Sequence, residues 1–229
     1  MIPIRDDIPS SRFPVVTVGI IVVNVLVFFR ELAAGTNLEN VLVNFAIIPA
    51  RYTPPEVTQP LGLVLPLFSS MFLHGGWLHL LGNMWTLWIF GDNVEDRLGH
   101  GKYLLFYLAS GVAAALLHIF PNAGSMVPTI GASGAIAGIM GAYFRFYPGA
   151  RVQTLIPPFF FGPFFVLPAV LFLGWWFLLQ FFNGALSLGV RGAGFGGVAW
   201  WAHVGGCLFG FAVCLMASRS RAPPRLIEF

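Results

Sequence analysis

Six apolar runs punctuate the chain, over about 14–34, 71–91, 103–120, 131–148, 164–183 and 199–217. Each is close to the roughly 20 residues that a helix needs to cross the hydrocarbon core of a bilayer. No charge-poor segment alternates with period two, so the pattern predicts helices and not a closed barrel. The expectation is an all-α, polytopic membrane protein, a bundle of six transmembrane helices. It is read as a single membrane domain over 1–229, with its core at about 14–217, short terminal tails, no internal repeat and no appended soluble domain. The first run could alternatively be a signal peptide, since Leu32-Ala33-Ala34-Gly35 loosely resembles a cleavage site, but only Arg5 and Arg12 would supply its basic region.

Composition strengthens the membrane reading. Hydrophobic residues make up 57% of the chain and charged residues only 9%, against about 25% charged in an ordinary soluble domain. The net charge of +3 comes from loops and tails and does not point to nucleic acid. Cys207 and Cys214 lie roughly 10 Å apart along one predicted helix, too far for an internal disulfide. Neither cysteine sits in a metal-binding pattern. No cofactor is expected, and nothing in the sequence sets an oligomeric state.

Charge bias orients the spans. Arg5, Arg12, Arg97, Lys102, Arg145, Arg151, Arg219, Arg221 and Arg225 fall on one side, and only Arg30, Arg51 and Arg191 on the other. By the positive-inside rule both termini are cytoplasmic. The expected home is a bacterial plasma membrane. The starts of the second, fourth and sixth spans then share the outer third of the bilayer. The first outer connection, about 35–70, is long and apolar enough to lie in the interface. The last, about 184–198, holds six glycines, which makes it a candidate cover.

Polar residues at that common depth carry the candidate chemistry, because polar groups in a membrane are costly and mark function by default. Ser133 opens the fourth span within Gly131-Ala132-Ser133-Gly134, His203 begins the sixth, and His74, His79 and Asn83 lie early in the second. A serine hydroxyl needs a base to become a nucleophile. Gly134, Gly138 and Ala142 on one helix, and Ala202, Gly206 and Gly210 on the other, repeat every four residues. That spacing lets membrane helices approach closely, bringing His203 toward Ser133. All nine acids fall outside the span centres, so the reading is a Ser–His dyad without a third member. The Ser133 amide at a helix start, with His79 and Asn83 one turn apart, could hold an oxyanion. His74, further round the predicted helix, is assigned to anchoring the first loop or holding water. A zinc site at His74 and His79 fits one helix face poorly and lacks a thiolate or carboxylate. The serine motif lacks the last glycine of G-x-S-x-G, and no glycine run has nucleotide-loop spacing. The bland alternative is two tightly packed helices with a satisfied Ser and His; a transporter would call for paired intramembrane carboxylates or half-helix repeats.

Three motifs in order, His74-Gly75-Gly76-Trp77-Leu78-His79-Leu80-Leu81-Gly82-Asn83, Gly131-Ala132-Ser133-Gly134 and Ala202-His203-Val204-Gly205-Gly206, together with Gly91–Gly99, closely resemble the rhomboid family of intramembrane serine proteases. The likeness covers about residues 14–217. It implies a six-helix core, Ser133 as nucleophile, His203 as general base and then acid, and an oxyanion hole of His79, Asn83 and the Ser133 amide. His74, Gly131, Gly134 and Gly206 would support these. The implied substrates are single-span membrane proteins cut near their outer ends within the bilayer. A non-catalytic rhomboid-like chaperone that binds client helices is the alternative. Two positions depart from the family pattern. Ile48-Pro49-Ala50-Arg51 stands where many members have Trp-Arg, and Ala137 stands where many have an aromatic residue packed against the histidine. Arg51 is expected to brace the loop, and an aromatic from another helix to support His203.

Overall fold

The computed structural model describes residues 1–53, 60–156, 164–189 and 198–217. In chain order the elements are strand β1 (Ile2–Asp6), helices α1 (Val15–Ala34), α2 (Leu38–Phe45), α3 (Val64–Ser69), α4 (Trp77–Leu98), α5 (His100–Ile119) and α6 (Ser133–Phe146), strands β2 (Arg151–Leu155) and β3 (Phe165–Pro168), and helices α7 (Ala169–Gly189) and α8 (Trp200–Ala217). The chain is a predominantly helical membrane bundle. Three segments are long and apolar enough to cross a bilayer as they stand: Val15–Phe45, His100–Asn122 and Ala169–Leu188. Val64–Phe72 and Trp77–Leu98 reach that length and apolarity only when taken together, across a bend of 90°.

The expected helix over 71–91 starts later and ends later than its apolar run. Gly75 and Gly76 break the chain, so His74 lies in the bend before α4 and its angular position on a helix has no meaning. At the other end α4 continues through Asp92, Glu95 and Asp96 to Leu98. The connection between the first two apolar runs contains helices α2 and α3, which present Leu38, Val43, Phe45, Leu65 and Phe68 to the surroundings. Gly184 and Gly189 of the last connection belong to α7; its remaining glycines lie outside the described residues.

Helix α6 is the hub. It packs against α8, α5, α4 and, less extensively, α7, and every residue from Gly134 to Tyr143 is buried. Its 14 residues make it about 21 Å long, well short of the roughly 30 Å hydrocarbon core. The sequence predicted 131–148. The helix ends at Phe146, where the chain turns toward β2, and its first residue therefore starts inside the bundle. The contact with α8 is made by backbone: a Cβ on Gly206 would lie 2.0 Å from the Gly134 carbonyl oxygen, and one on Gly210 would lie 2.0 Å from that of Gly138.

A small antiparallel sheet, order β1-β2-β3, closes the opposite end of the bundle from Ser133. Ile2 pairs with Leu155 and Asp6 with Val152, while Arg151 pairs with Pro168. The sequence reading placed no strand here. The strands are only four or five residues long, and β1 is joined to a partner far along the chain, so no local run of alternation announces them.

Acidic side chains, the buried Glu95 and Asp7 among them, tie this end together. Glu95 accepts hydrogen bonds from the Val16 amide at 2.8 Å and the Thr17 amide at 2.7 Å, which caps the start of α1 with a carboxylate where the helix dipole favours one. His100 also bonds Glu95. Asp96 holds the Ser11 amide at 3.0 Å, Asp7 accepts from the Arg151 amide at 2.8 Å, and Tyr143 donates to Asp6. Burial pushes the Asp6 carboxyl up to about 7, with the charges of Asp92 and Asp7 adding to the rise and the Tyr143 hydroxyl opposing it.

Glu95→Ala strands two buried amides and should destabilise the protein by about 2–3 kcal/mol, read as a lowered unfolding midpoint in detergent micelles. For Asp6 the folded state keeps a proton that the unfolded chain has released above its ordinary value of 3.8. Its stabilising contribution is therefore complete below that value and is lost as pH rises through about 7. The melting temperature should fall between pH 5 and 8 in the wild type and fall less in Asp6→Asn, which still accepts from Tyr143; equal slopes would assign the loss to other groups.

Candidate active site

The approach to Ser133 is set by Gly131. Its φ of +123° favours glycine, and a Cβ there would lie 2.7 Å from His79 Nε2 and 3.7 Å from Asn83 Nδ2. The Gly131 amide is fixed to the Ser70 carbonyl at 2.9 Å. The chain thus runs directly past the α4 side chains and enters α6 with Ser133 as its first residue. An amide at that position has no partner within its own helix.

Helix α8 brings His203 across the glycine contact. Its Nε2 lies 2.8 Å from Ser133 Oγ, although 70 residues separate the two in sequence. On the other side of the ring, Nδ1 lies 2.7 Å from Gln180 Oε1 on α7. Trp176, one turn earlier on α7, covers the imidazole at a centroid distance of 5.9 Å and an interplanar angle of 32°. Trp200 meets it edge-on at 6.3 Å. Ala137 is fully buried beside Gly206, so a ring there would wedge α6 from α8; α7 supplies the aromatic instead.

His79 and Asn83 share the wall of a cavity of about 720 Å³ with Ser133, His203, Gly75, Trp77 and Ile130. The Asn83 amide nitrogen lies 3.0 Å from His74 Nε2. An amide NH₂ carries two hydrogens, so one can bind His74 while the other remains for the cavity. His74 is itself anchored by its backbone amide to the Glu31 carboxylate, at 3.1 and 3.3 Å. A second cavity, about 30 Å³, adjoins Ser133 and Gly134 between Ala114, Thr129 and Met71. It has room for one water or a small side chain.

All the residues singled out in the sequence therefore meet at one end of the bundle: Ser133 with His203, and His79, Asn83 and His74 beside them, with Gly131, Gly134 and Gly206 making the close approaches. Gln180, Trp176 and Glu31 were missed. Gln180 carried a signal, being a polar residue within a long apolar run. Glu31 was set aside because it lies at the end of α1, yet it folds back beneath the α4 bend.

A model of the Rhomboid domain matches residues 62–220. The chain belongs to the rhomboid family. Among curated relatives of this rhomboid, the Presenilin-associated rhomboid-like protein A, mitochondrial, of Danio rerio is 33% identical over 64% of the chain and 36% of its own length. The Presenilin-associated rhomboid-like protein, mitochondrial, of Homo sapiens is 30% identical over 84% of the chain and 45% of its own length. Rhomboid protein 1, mitochondrial, of Saccharomyces cerevisiae is 30% identical over 41% of the chain and 28% of its own length. The chain thus spans less than half the length of these relatives. It is an integral membrane protein.

In this rhomboid Arg51, at the first departure from the family pattern, ties the long connection after α1 by donating to the Val43 carbonyl. The glycine contact is the part of the site most sensitive to volume. Gly206→Ala puts a methyl against the Gly134 carbonyl, and a displacement of about 1 Å between reacting groups can cost on the order of a hundredfold in rate. The variant should lose at least about tenfold in any reaction that needs the Ser133–His203 pair, measured as the rate of labelling by a serine-directed fluorophosphonate.

Proposed function

We propose that this rhomboid is a serine-type intramembrane endopeptidase that cuts transmembrane segments of other proteins. The observation that carries the reading is the 2.8 Å approach of Ser133 Oγ to His203 Nε2 on the wall of a cavity shared with His79 and Asn83. Separation of that size lets an imidazole accept the hydroxyl proton as the oxygen attacks.

The steps follow from the positions of the groups. Ser133 Oγ attacks a peptide carbonyl carbon while its proton passes to His203 Nε2. The carbonyl oxygen becomes an oxyanion, to which Asn83, His79 and the Ser133 amide can donate, each such donor being worth about 3–4 kcal/mol in rate. Collapse breaks the peptide C–N bond, and His203 returns the proton to the departing amine. Water then gives a proton to His203, attacks the acyl-enzyme, and releases the new carboxylate as Ser133 regains its proton.

The surroundings favour particular substrates. A helix must unwind to offer a carbonyl, and unwinding in hydrocarbon exposes backbone groups without partners. Segments with weak ends near the membrane surface meet that requirement. The cavity of about 30 Å³ beside Gly131, Ser133 and Gly134 favours a small residue before the cut bond. We read the charge asymmetry for a bacterial plasma membrane, with both termini in the cytoplasm and the site opening outward; in a mitochondrial inner membrane, the same bias would turn the termini to the matrix. A client-binding chaperone has no need of a hydrogen-bonded Ser–His pair.

Cleavage of a single-span substrate in proteoliposomes should fall to background in Ser133→Ala, with the fold retained. Labelling of Ser133 by a fluorophosphonate should be lost in His203→Ala. Undiminished cleavage without Ser133 would sink the protease reading, and equal labelling without the imidazole would remove His203 as the base.

A further inference from the structure

Helix α7 is long and apolar enough to cross a bilayer, yet one polar side chain on it is buried: Gln180 is 7% exposed. An unpaired amide in such a place is expensive, and both ends of this one are occupied. Its Nε2 donates to the Trp176 carbonyl at 3.2 Å, and its Oε1 faces His203 Nδ1 at 2.7 Å. The two ends of an amide differ in kind, one donating only and the other accepting only. Because a backbone carbonyl can only accept, the nitrogen end must lie at Trp176 and the oxygen end at the imidazole. Turning the amide over would set two carbonyl oxygens against each other.

That constraint reaches the reacting atoms. A neutral imidazole carries its proton on one nitrogen or the other. Only the form with the proton on Nδ1 leaves Nε2 free to accept from Ser133. The titratable groups whose charge bears on His203 are His118 of α5 and His79 of α4, and neither makes a hydrogen bond to its ring among the described residues. Trp176 and Trp200 limit tilting of the ring but do not distinguish its two nitrogens.

We propose that Gln180 is a positioning residue for His203, its side-chain carbonyl holding the proton on Nδ1 and so keeping Nε2 ready to accept from Ser133. The inference rests on the hydrolytic reading above and deepens it. Gln180 fills the place of the absent third member with a neutral acceptor, which a membrane interior tolerates at lower cost than a carboxylate. It touches neither substrate nor Ser133 and acts only through the imidazole.

The test compares Gln180→Leu, which keeps the bulk and removes the acceptor, with Gln180→Glu, which keeps an acceptor oxygen. Cleavage of a single-span substrate is measured in proteoliposomes, with Ser133→Ala as the control for the reaction itself. The leucine variant should lose about 10- to 100-fold in kcat, the scale seen when the partner that orients a metal-bound histidine is removed. KM should stay within about threefold, and the glutamate variant should recover most of the loss. A purely structural role would make the two variants alike. Selective ¹⁵N labelling of histidine gives a readout independent of turnover: the His203 ring of the wild type, assigned by comparison with His203→Ala, should show its proton on Nδ1, and Gln180→Leu should show a mixture. Wild-type kcat in Gln180→Leu, or a wild-type ring protonated on Nε2, would overturn the proposal, and the latter result stands even if the leucine variant fails to fold. Cleavage persisting in Ser133→Ala would instead overturn the protease reading.

Discussion

Two helices in this bundle meet backbone to backbone, with nothing larger than alanine methyls between them at Gly134 and Gly206. At Gly206 and Gly210 the α8 backbone lies so close to the carbonyls of Gly134 and Gly138 that a methyl group would overlap them. Lipid tails are as apolar as leucine, so such helices associate through close van der Waals contact and not by escape from water. This contact brings an α6 serine and an α8 histidine within hydrogen-bond reach. It also excludes an aromatic residue at Ala137, which moves the support of the imidazole to α7.

The bundle divides its tasks by end. At one end, carboxylates and the small sheet lock the N-terminal segment, α4, α6 and β2 to one another, through Glu95 on the α1 amides, Asp96 on Ser11 and Asp7 on Arg151. At the other, α6 begins inside the bundle, and the space above it is a cavity in place of a further helical turn. A short helix held firmly at its far end leaves a fixed, recessed N-terminus. The amide and hydroxyl of Ser133 gain their accessibility from that recess.

Polar groups around the cavity form two chains. Glu31 holds the His74 backbone and His74 holds Asn83; Trp176 holds Gln180, Gln180 holds His203 and His203 holds Ser133. In a low-dielectric interior each such bond is stronger and each missing partner more costly than in water. The groups facing the cavity are thus oriented from behind by others that never reach it.

Much of this was legible along the chain. Apolar length marked the helices, four-residue spacing of small residues marked the close contact, and the rarity of polar side chains in membrane segments singled out Ser133, His203, His79 and Asn83. Local spacing could not reveal the sheet, whose strands are short and whose first strand lies most of the chain away from its partner. Nor could it place Glu31 or Glu95, which sit at helix ends and become buried only when other segments pack over them. The partner of the imidazole likewise depended on folding, since Gln180 stands 23 residues from His203 on another helix. Sequence alone determined which segments form long apolar helices and which side chains are too polar to lie in them without purpose, because both are properties of single helices. Only the tertiary structure decided which of those side chains meet, because that depends on the depth and rotation at which helices lock together.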